Sequence, residues 1–226
     1  MADAPMLRVR SFKRPDPGLI ERFRGVPTGF LVDALGRSGA LDYRIGPIWN
    51  SSSFVGSALT VQTSARDNLA PYAALKWAKP GDVLIVETGD FDRAAVMGDI
   101  IIAMARNCGI VAVVTDGLVR DVEGIEAVGL PVYARGLTPN SPFKNGPGAI
   151  GFPVTVGGVV IEPGDLVLGD RNGVVVAPRA RLEQALGALE AVIAKEADMD
   201  RAVQDGLKLP GWLDQALADK GVEFVD

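Results

Sequence analysis

The order of apolar segments in the middle third constrains this 226-residue chain more than any other feature. Val83 to Glu87, Ile110 to Thr115 and Pro131 to Arg135 are short apolar runs of the kind that form strands buried on both faces. Between them, Ala94 to Asn107 is apolar on nearly every side and predicts a buried helix stopped at Gly109. A second, short helix is expected around Asp121 to Val128. Strand–helix–strand–helix–strand in this order predicts parallel βαβ units, and so an α/β fold.

The flanking thirds read differently. Residues 18–38 look helical, with Thr28 as N-cap of a segment apolar at Phe30, Leu31, Ala34 and Leu35. Phe54 to Thr63 is rich in β-branched residues and predicts a strand, followed by a helix from about Leu69 to Ala78 that stops before Pro80-Gly81. Beyond Gly136, a loop rich in Pro, Gly and Asn runs to about Gly151. Val154 to Val156, Val159 to Ile161, Leu166 to Leu168 and Val174 to Val176 then predict short strands, with Gly157-Gly158 and Asn172-Gly173 as hairpin turns. That region is expected to be antiparallel and barrel-like. Pro80-Gly81-Asp82 and Pro163-Gly164-Asp165 each precede an apolar strand and read as one turn device used twice. A long amphipathic helix is expected from Ala180 to about Gln204, with a final short helix after Pro210.

Composition narrows the chemistry. The chain contains no histidine, which removes Ser-His-Asp and Cys-His catalysis and histidine-ligated zinc. With one cysteine, Cys108, any metal site must be built from oxygen ligands, which favours Mg²⁺ or Mn²⁺. A net charge of −5 argues against a broad nucleic-acid-binding face and means that an anionic substrate needs a local cation. The lone cysteine, the absence of a signal-like apolar run near the N-terminus and the absence of a membrane-length apolar stretch make a cytoplasmic location the expectation.

Two places carry charge amid apolar sequence. Thr115-Asp-Gly-Leu-Val-Arg120-Asp121 follows a buried strand, at the end where open α/β sheets hold their ligands. A turn explains Asp116-Gly117 and helix capping would explain Asp121, but neither explains Arg120. Arginine can hold a carboxylate by two parallel bonds, and the adjacent acid can hold a divalent cation. Asp99 stands between Gly98 and Ile100-Ile101-Ile102, where an unpaired buried carboxylate would be costly. Gly98-Asp99 as the true helix start, with the acid at the positive end, relieves that cost and is compatible with ligand binding there. Gly146-Pro-Gly148-Ala-Ile-Gly151 matches the dinucleotide string G-x-G-x-x-G, but it lacks the strand before and the helix after that such a site requires. Lys76, Lys79 and Lys144 lie near turns or in a polar loop, so a desolvated Schiff-base lysine is not expected.

Asp99, twenty intervening residues and then Arg120-Asp121 resembles the D/E-x20-R-D signature of the class II 4-hydroxy-4-methyl-2-oxoglutarate aldolases. That family includes proteins related to regulator of ribonuclease activity A (RraA). Gly56-Ser-Ala-Leu-Thr-Val61, Asp67-Asn68-Leu69, Pro80-Gly-Asp-Val-Leu84, Val114-Thr-Asp-Gly117, Pro131-Val-Tyr-Ala-Arg-Gly136, Pro163-Gly-Asp165 and Gly169-Asp-Arg-Asn-Gly-Val-Val-Val176 extend the resemblance, in the family's order. The resemblance implies one swivelling α/β/β domain over residues 1–226, with a helical extension from about residue 180 that reaches a neighbouring subunit. It also implies a homotrimer or homohexamer with the site between subunits.

By the same resemblance, Asp121 matches the ligand of Mg²⁺ or Mn²⁺ and Asp99 supports the metal's waters. Arg120 contacts the pyruvate portion, and backbone amides at Gly98, Asp99, Ile100 and Ile101 complete the substrate cradle. Glu196, from the neighbour's C-terminal helix, approaches those waters. The implied reaction cleaves 4-hydroxy-4-methyl-2-oxoglutarate or 4-carboxy-4-hydroxy-2-oxoadipate-type acids to pyruvate through an enolate, with oxaloacetate decarboxylation as a side activity. A metal-linked water activated by Asp99 or Glu196 would take the hydroxyl proton. The 64–72 and 136–150 loops, with a neighbouring subunit, are expected to hold the distal part of the substrate. The implied partners are a small 2-oxo acid and further copies of the chain, not nucleic acid or membrane. The other function found among relatives is that of a protein-binding regulator of ribonuclease activity, which an acidic surface would also suit. A methyltransferase is not expected, since no glycine-rich loop stands in the context that a nucleotide-like methyl donor needs.

Overall fold

Alternating side chains on the central strands fill two separate apolar layers, which is why those strands read as unbroken apolar runs. Val83 and Ile85 point into one layer and Leu84 and Val86 into the other. The computed structural model describes residues 6–51 and 53–225. It forms two units, Met1–Leu189 and Glu190–Asp226.

In chain order the first unit contains β1 (Leu7–Val9), α1 (Pro17–Glu21), α2 (Thr28–Ala34), β2 (Gly46–Pro47), β3 (Phe54–Thr63), α3 (Leu69–Ala74), β4 (Asp82–Glu87) and β5 (Ala95–Met97). It continues with α4 (Asp99–Asn107), β6 (Ala112–Thr115), β7 (Leu118–Val119), α5 (Val122–Val128), β8 (Val132–Ala134), β9 (Gly148–Ile150), β10 (Val154–Val156), β11 (Val159–Ile161), β12 (Leu166–Asp170) and β13 (Gly173–Ala177). The main sheet runs β1-β9-β3-β4-β6-β8-β2, with the β12–β13 hairpin joined to it through β3. The β3–β4, β4–β6 and β6–β8 pairs are all parallel, so the predicted βαβ units are present. Ile101, Ile102, Ala105 and Ile125 of α4 and α5 pack in the layer that holds Leu84 and Val113. Val154, Val156 and Ile161 of the β10–β11 hairpin pack in the layer that holds Val83 and Ile85. The fold is a mixed α/β one, as the element order required.

Four local expectations need correction. The helix read over 18–38 is two helices, because the chain turns at Gly25 (φ 76°) and Pro27 precedes α2. Thr28 is not an N-cap but the first residue of α2. Its N–H and Oγ1 both donate to the Asp170 carboxylate, each at 2.9 Å. The apolar run from Ala94 is a strand before it is a helix: Ala95–Met97 forms β5, Gly98 is the cap and α4 starts at Asp99. The loop expected to run to about Gly151 contains a strand, β9, and the dinucleotide string there is followed by β10 and not by a helix, as its context required.

The Pro-Gly-Asp turns are alike in detail. Gly81 and Gly164 both take φ 89°, and each aspartate accepts the backbone N–H three residues before it, Asp82 from Lys79 at 2.8 Å and Asp165 from Glu162 at 3.0 Å. Asp82 is buried and also accepts both arms of the Arg14 guanidinium at 2.7 Å. Burial pushes the Asp165 carboxyl up, while the Arg179 and Glu162 amides pull it back.

Tyr133 on β8 is buried, and its hydroxyl donates to the Asp170 carbonyl at 2.8 Å. Burial pushes its phenol from the ordinary 10.0 up to about 12. The folded protein therefore holds this proton more tightly than the unfolded chain does. Stability that is fully present below pH 10 is expected to fall as pH rises towards about 12. Tyr133→Phe should cost about 1 kcal/mol at neutral pH, through the lost hydrogen bond, and should flatten this alkaline loss. Urea unfolding at neutral pH and across the alkaline range checks both.

The second unit contains the C-terminal part of α6 (Leu182–Gln204) and α7 (Leu213–Lys220). Ile193, Val203, Leu209, Trp212 and Leu217 in this unit are exposed. Within the described residues, no helix is long and apolar enough to cross a membrane.

Candidate active site

A two-stranded ribbon brings the separated acidic and Arg-Asp elements together. β5 and β7 pair in parallel, Ala95 with Leu118 and Met97 with Val119, and the Arg120 N–H donates to the Met97 carbonyl at 3.1 Å. The next residues on the two strands are Gly98-Asp99 and Arg120-Asp121. The twenty intervening residues run through α4, β6 of the main sheet and β7, and so return the chain beside β5.

Asp121 adopts the left-handed conformation, φ 60° and ψ 50°, which aspartate tolerates better than most residues. It occupies the cap position of α5, but its side chain makes no capping hydrogen bond, so the capping explanation does not hold. Its Oδ2 lies 3.1 Å from Arg120 Nε instead. Arg120 Nη1 donates to Ser141 Oγ. The ion pair is open to solvent, with the two side chains 36% and 43% exposed, so Arg120 is not locked inside the protein.

Two glycines make room for these acids. A Cβ on Gly98 would stand 2.4 Å from Asp121 Oδ2 and 3.1 Å from Arg120 Cγ. A Cβ on Gly124 would stand 2.6 Å from both Cβ and Oδ2 of Asp99. Asp99 opens α4, and its Oδ1 accepts the Ile100 N–H at 2.7 Å. The Ile102 N–H is closed onto the Gly98 carbonyl at 3.2 Å. The first-turn amides of Asp99 and Ile101 have no helical acceptor, as at any helix start. Of the expected cradle amides, that of Ile100 is occupied by the neighbouring carboxylate.

Gly98, Asp99, Ile100, Ile101, Arg120 and Asp121 all line one cavity of about 140 Å³, far above the roughly 10–15 Å³ that one water needs. Asn68, Tyr72, Ser141, Pro142 and Lys144 line the same cavity. These residues come from the two loops expected to supply distal contacts, although no periodic signal singled out the individual side chains. Larger clefts, such as one of about 350 Å³ between Thr28 and Asn172 and one of about 490 Å³ beside Arg10 and Arg179, lack this acid–arginine–acid set. Glu196 is partly exposed on the part of α6 that lies in the second unit.

Among the described residues, no three His, Cys, Asp or Glu side chains cluster closely enough to hold a metal by themselves. The donor set still suits a hard cation, because Mg²⁺ keeps most of its waters and is commonly held by one or two carboxylates. The half-exposed Asp121 carboxylate, seated where Gly98 leaves space, meets that requirement.

Asp116, the other acid of the 115–121 segment, is structural. It is buried and accepts the Thr88 N–H at 2.6 Å, the Thr88 hydroxyl at 2.9 Å and the Asp90 N–H at 3.0 Å.

A profile described as RraA-like, Aldolase/RraA, matches residues 28–176, a span that contains Asp99, Arg120 and Asp121. The chain belongs to the RraA-like family. A candidate 4-hydroxy-4-methyl-2-oxoglutarate aldolase from Halalkalibacterium halodurans is 38% identical over 189 residues, covering 83% of this chain and 90% of that protein. Among solved structures, Streptomyces coelicolor RraAS2, described as an unusual member of the RNase ES inhibitor RraA family, is 27% identical with a TM-score of 0.73. It is matched over 83% of this chain and all of its own. The RNA-processing inhibitor RraA from Thermus thermophilis is 29% identical with a TM-score of 0.63, over 68% of this chain and 93% of its own. Membership in the RraA-like family supports an aldolase or an RraA-type function.

Proposed function

We propose that this RraA-like chain is a divalent-metal-dependent aldolase. Its substrates are 2-oxo acids of the 4-hydroxy-4-methyl-2-oxoglutarate or 4-carboxy-4-hydroxy-2-oxoadipate type, its product is pyruvate, and it also decarboxylates oxaloacetate. The observation that carries this reading is the placement of Arg120 and Asp121 against Gly98 and the start of α4, around one cavity. Likeness to a candidate aldolase supports it. We also propose a single family domain of the swivelling type with a C-terminal helical extension, assembled as a trimer or hexamer. The exposed apolar residues of the second unit favour such an assembly.

Mg²⁺ or Mn²⁺ held by Asp121 would supply positive charge to the carboxylate and ketone oxygens of the substrate. Arg120 keeps donors beyond those engaged by Asp121 and Ser141, and it orients the carboxylate of the pyruvyl half. Its fixed charge also faces the ketone oxygen as the carbon–carbon bond electrons move toward it. The amides of Asp99 and Ile101 add dipoles of the same sign. Asp99, with Glu196 from a neighbouring copy, holds the proton that the substrate hydroxyl gives up. No histidine is needed at any step.

Pyruvate release from 4-hydroxy-4-methyl-2-oxoglutarate and from oxaloacetate tests the reading. Release is expected with Mg²⁺ or Mn²⁺, loss after EDTA, and recovery when metal is added back. Release that survives full chelation, or none from either substrate, sinks it. Likeness to the two RraA structures favours a second reading, binding to a ribonuclease. Under that reading, a pull-down recovers a ribonuclease and Arg120→Ala leaves function unchanged.

A further inference from the structure

The two Pro-Gly-Asp turns share a backbone but differ in what their arginines meet. At the first, both arms of Arg14 are spent on the Asp82 carboxylate. At the second, the Asp165 carboxylate is already served by the Glu162 and Arg179 amides, at 3.0 and 2.9 Å. The Arg179 guanidinium donates through Nη1 to the Pro163 carbonyl instead. A neutral carbonyl fixes a guanidinium without cancelling its charge and leaves it further N–H donors.

Arg10, just after β1, is held in the same way. Its Nε donates to the Gly151 carbonyl at 2.9 Å, and its backbone N–H to the Ile150 carbonyl at 3.0 Å. Both guanidinium groups line the cleft of about 490 Å³, together with Ser11, Phe12, Lys13, Glu162 and Pro163. The segment after β1 presses on the turn, since Gly164 leaves no room for a Cβ beside the Lys13 carbonyl. Among the described residues, no carboxylate lies within ion-pair distance of Arg10, Lys13 or Arg179. Three unpaired cations therefore face one acid, Glu162, around this cleft.

That surplus is local. Glu190–Asp226 holds nine acidic and four basic residues, which is the whole of the net charge of −5. Met1–Leu189 is neutral, with nineteen residues of each sign, yet four of the seven residues from Arg8 to Arg14 are basic. The ligand that best suits two guanidinium forks and an ammonium is a phosphoryl group. A carboxylate brings two oxygens in one plane and a single charge, whereas a phosphoryl group brings three oxygens and nearly two charges. Ser11 lines the same cleft and can add a hydroxyl donor.

We propose that Arg10, Lys13 and Arg179 form a phosphate site between the segment after β1 and the Pro163-Gly164-Asp165 turn. It takes a phosphoryl dianion, either free phosphate or the head of a small phosphate ester. None of its lining residues lines the candidate catalytic cavity, so the site stands whether the chain is an aldolase or a ribonuclease regulator.

Calorimetric titration of the 226-residue chain with inorganic phosphate, in EDTA and at constant ionic strength, tests it. One saturable site per chain is expected. Lys13→Met should weaken binding about tenfold and Arg179→Met about ten- to a hundredfold, with Arg179→Lys between wild type and Arg179→Met. Arg120→Ala should stay within about twofold of wild type, because Arg120 lines a different cavity. A thermal melt of each variant separates lost binding from lost folding, and Lys13→Met decides alone if Arg179→Met unfolds. No saturable heat up to about 10 mM phosphate overturns the assignment. So does a Kd that Lys13→Met leaves unchanged, or a loss in Arg120→Ala equal to that in Arg179→Met. Phenyl phosphate distinguishes the two sources: tighter binding than inorganic phosphate assigns the site to an ester, and equal or weaker binding to the free anion.

Discussion

Arg120→Ala is expected to leave a folded protein whose pyruvate release falls about 10²–10³-fold. Stability should barely change, because the side chain is 36% exposed and touches only Asp121 and Ser141 among the polar groups around it. Exposed substitutions of this kind usually stay within about 0.5 kcal/mol. Activity should change greatly, because among the described residues no other arginine lines the cavity. Arg120→Lys keeps the charge but loses the planar fork, so it should recover only part of the rate. Steady-state kinetics and a thermal melt on the same preparation decide the matter. Unchanged kcat/KM would remove Arg120 from the chemistry, and an equal collapse of the melt would make its role structural.

Gly98→Ala should be nearly as damaging by a different route. Gly98 lies at φ −139° and ψ −172°, an extended conformation that alanine adopts freely, so the backbone itself raises no objection. The obstacle is the added methyl group, which would stand 2.4 Å from Asp121 Oδ2 and 3.3 Å from Arg120 Nε. Those two side chains must move, and displacements of about 1 Å at a reacting centre can cost about 10²-fold in rate. Both are partly exposed and can swing towards solvent, so the melting temperature should shift little. A loss of activity with an unchanged melt is the expected pair of results. Retention of full activity would show that the Arg120–Asp121 pair need not press against the start of α4.

Most of the fold was legible because burial on both faces leaves a plain trace. Val83 to Glu87 and Ile110 to Thr115 could hardly be anything other than central strands, and the parallel order followed. The same trace hid β5. Ala95 to Met97 is as apolar as the helix after it, and periodicity does not separate a short buried strand from a buried helical turn. Thr28 misled for a related reason: the caps of short helices depend on partners far along the chain, here Asp170. The charged core of the candidate site stood out because Asp99 and Arg120 violate their apolar surroundings, but the same residues suit a structural ion pair, and it was the family resemblance that singled them out. Asn68 and Lys144 violate nothing. A polar residue in a polar loop looks ordinary until the Asn145 N–H donates to Asp67 and the Asn68 N–H to the Phe143 carbonyl, folding the two loops onto one cavity.

The left-handed corner at Asp121 limits which side chains position 121 will accept. Asparagine would suit the bend but is neutral. Glutamate would bring the charge on a longer arm and sit poorly in that bend. Glycine would turn most easily and offer nothing to bind. Aspartate satisfies both demands, so the reach of this acid is dictated by the geometry of the bend as much as by whatever it holds.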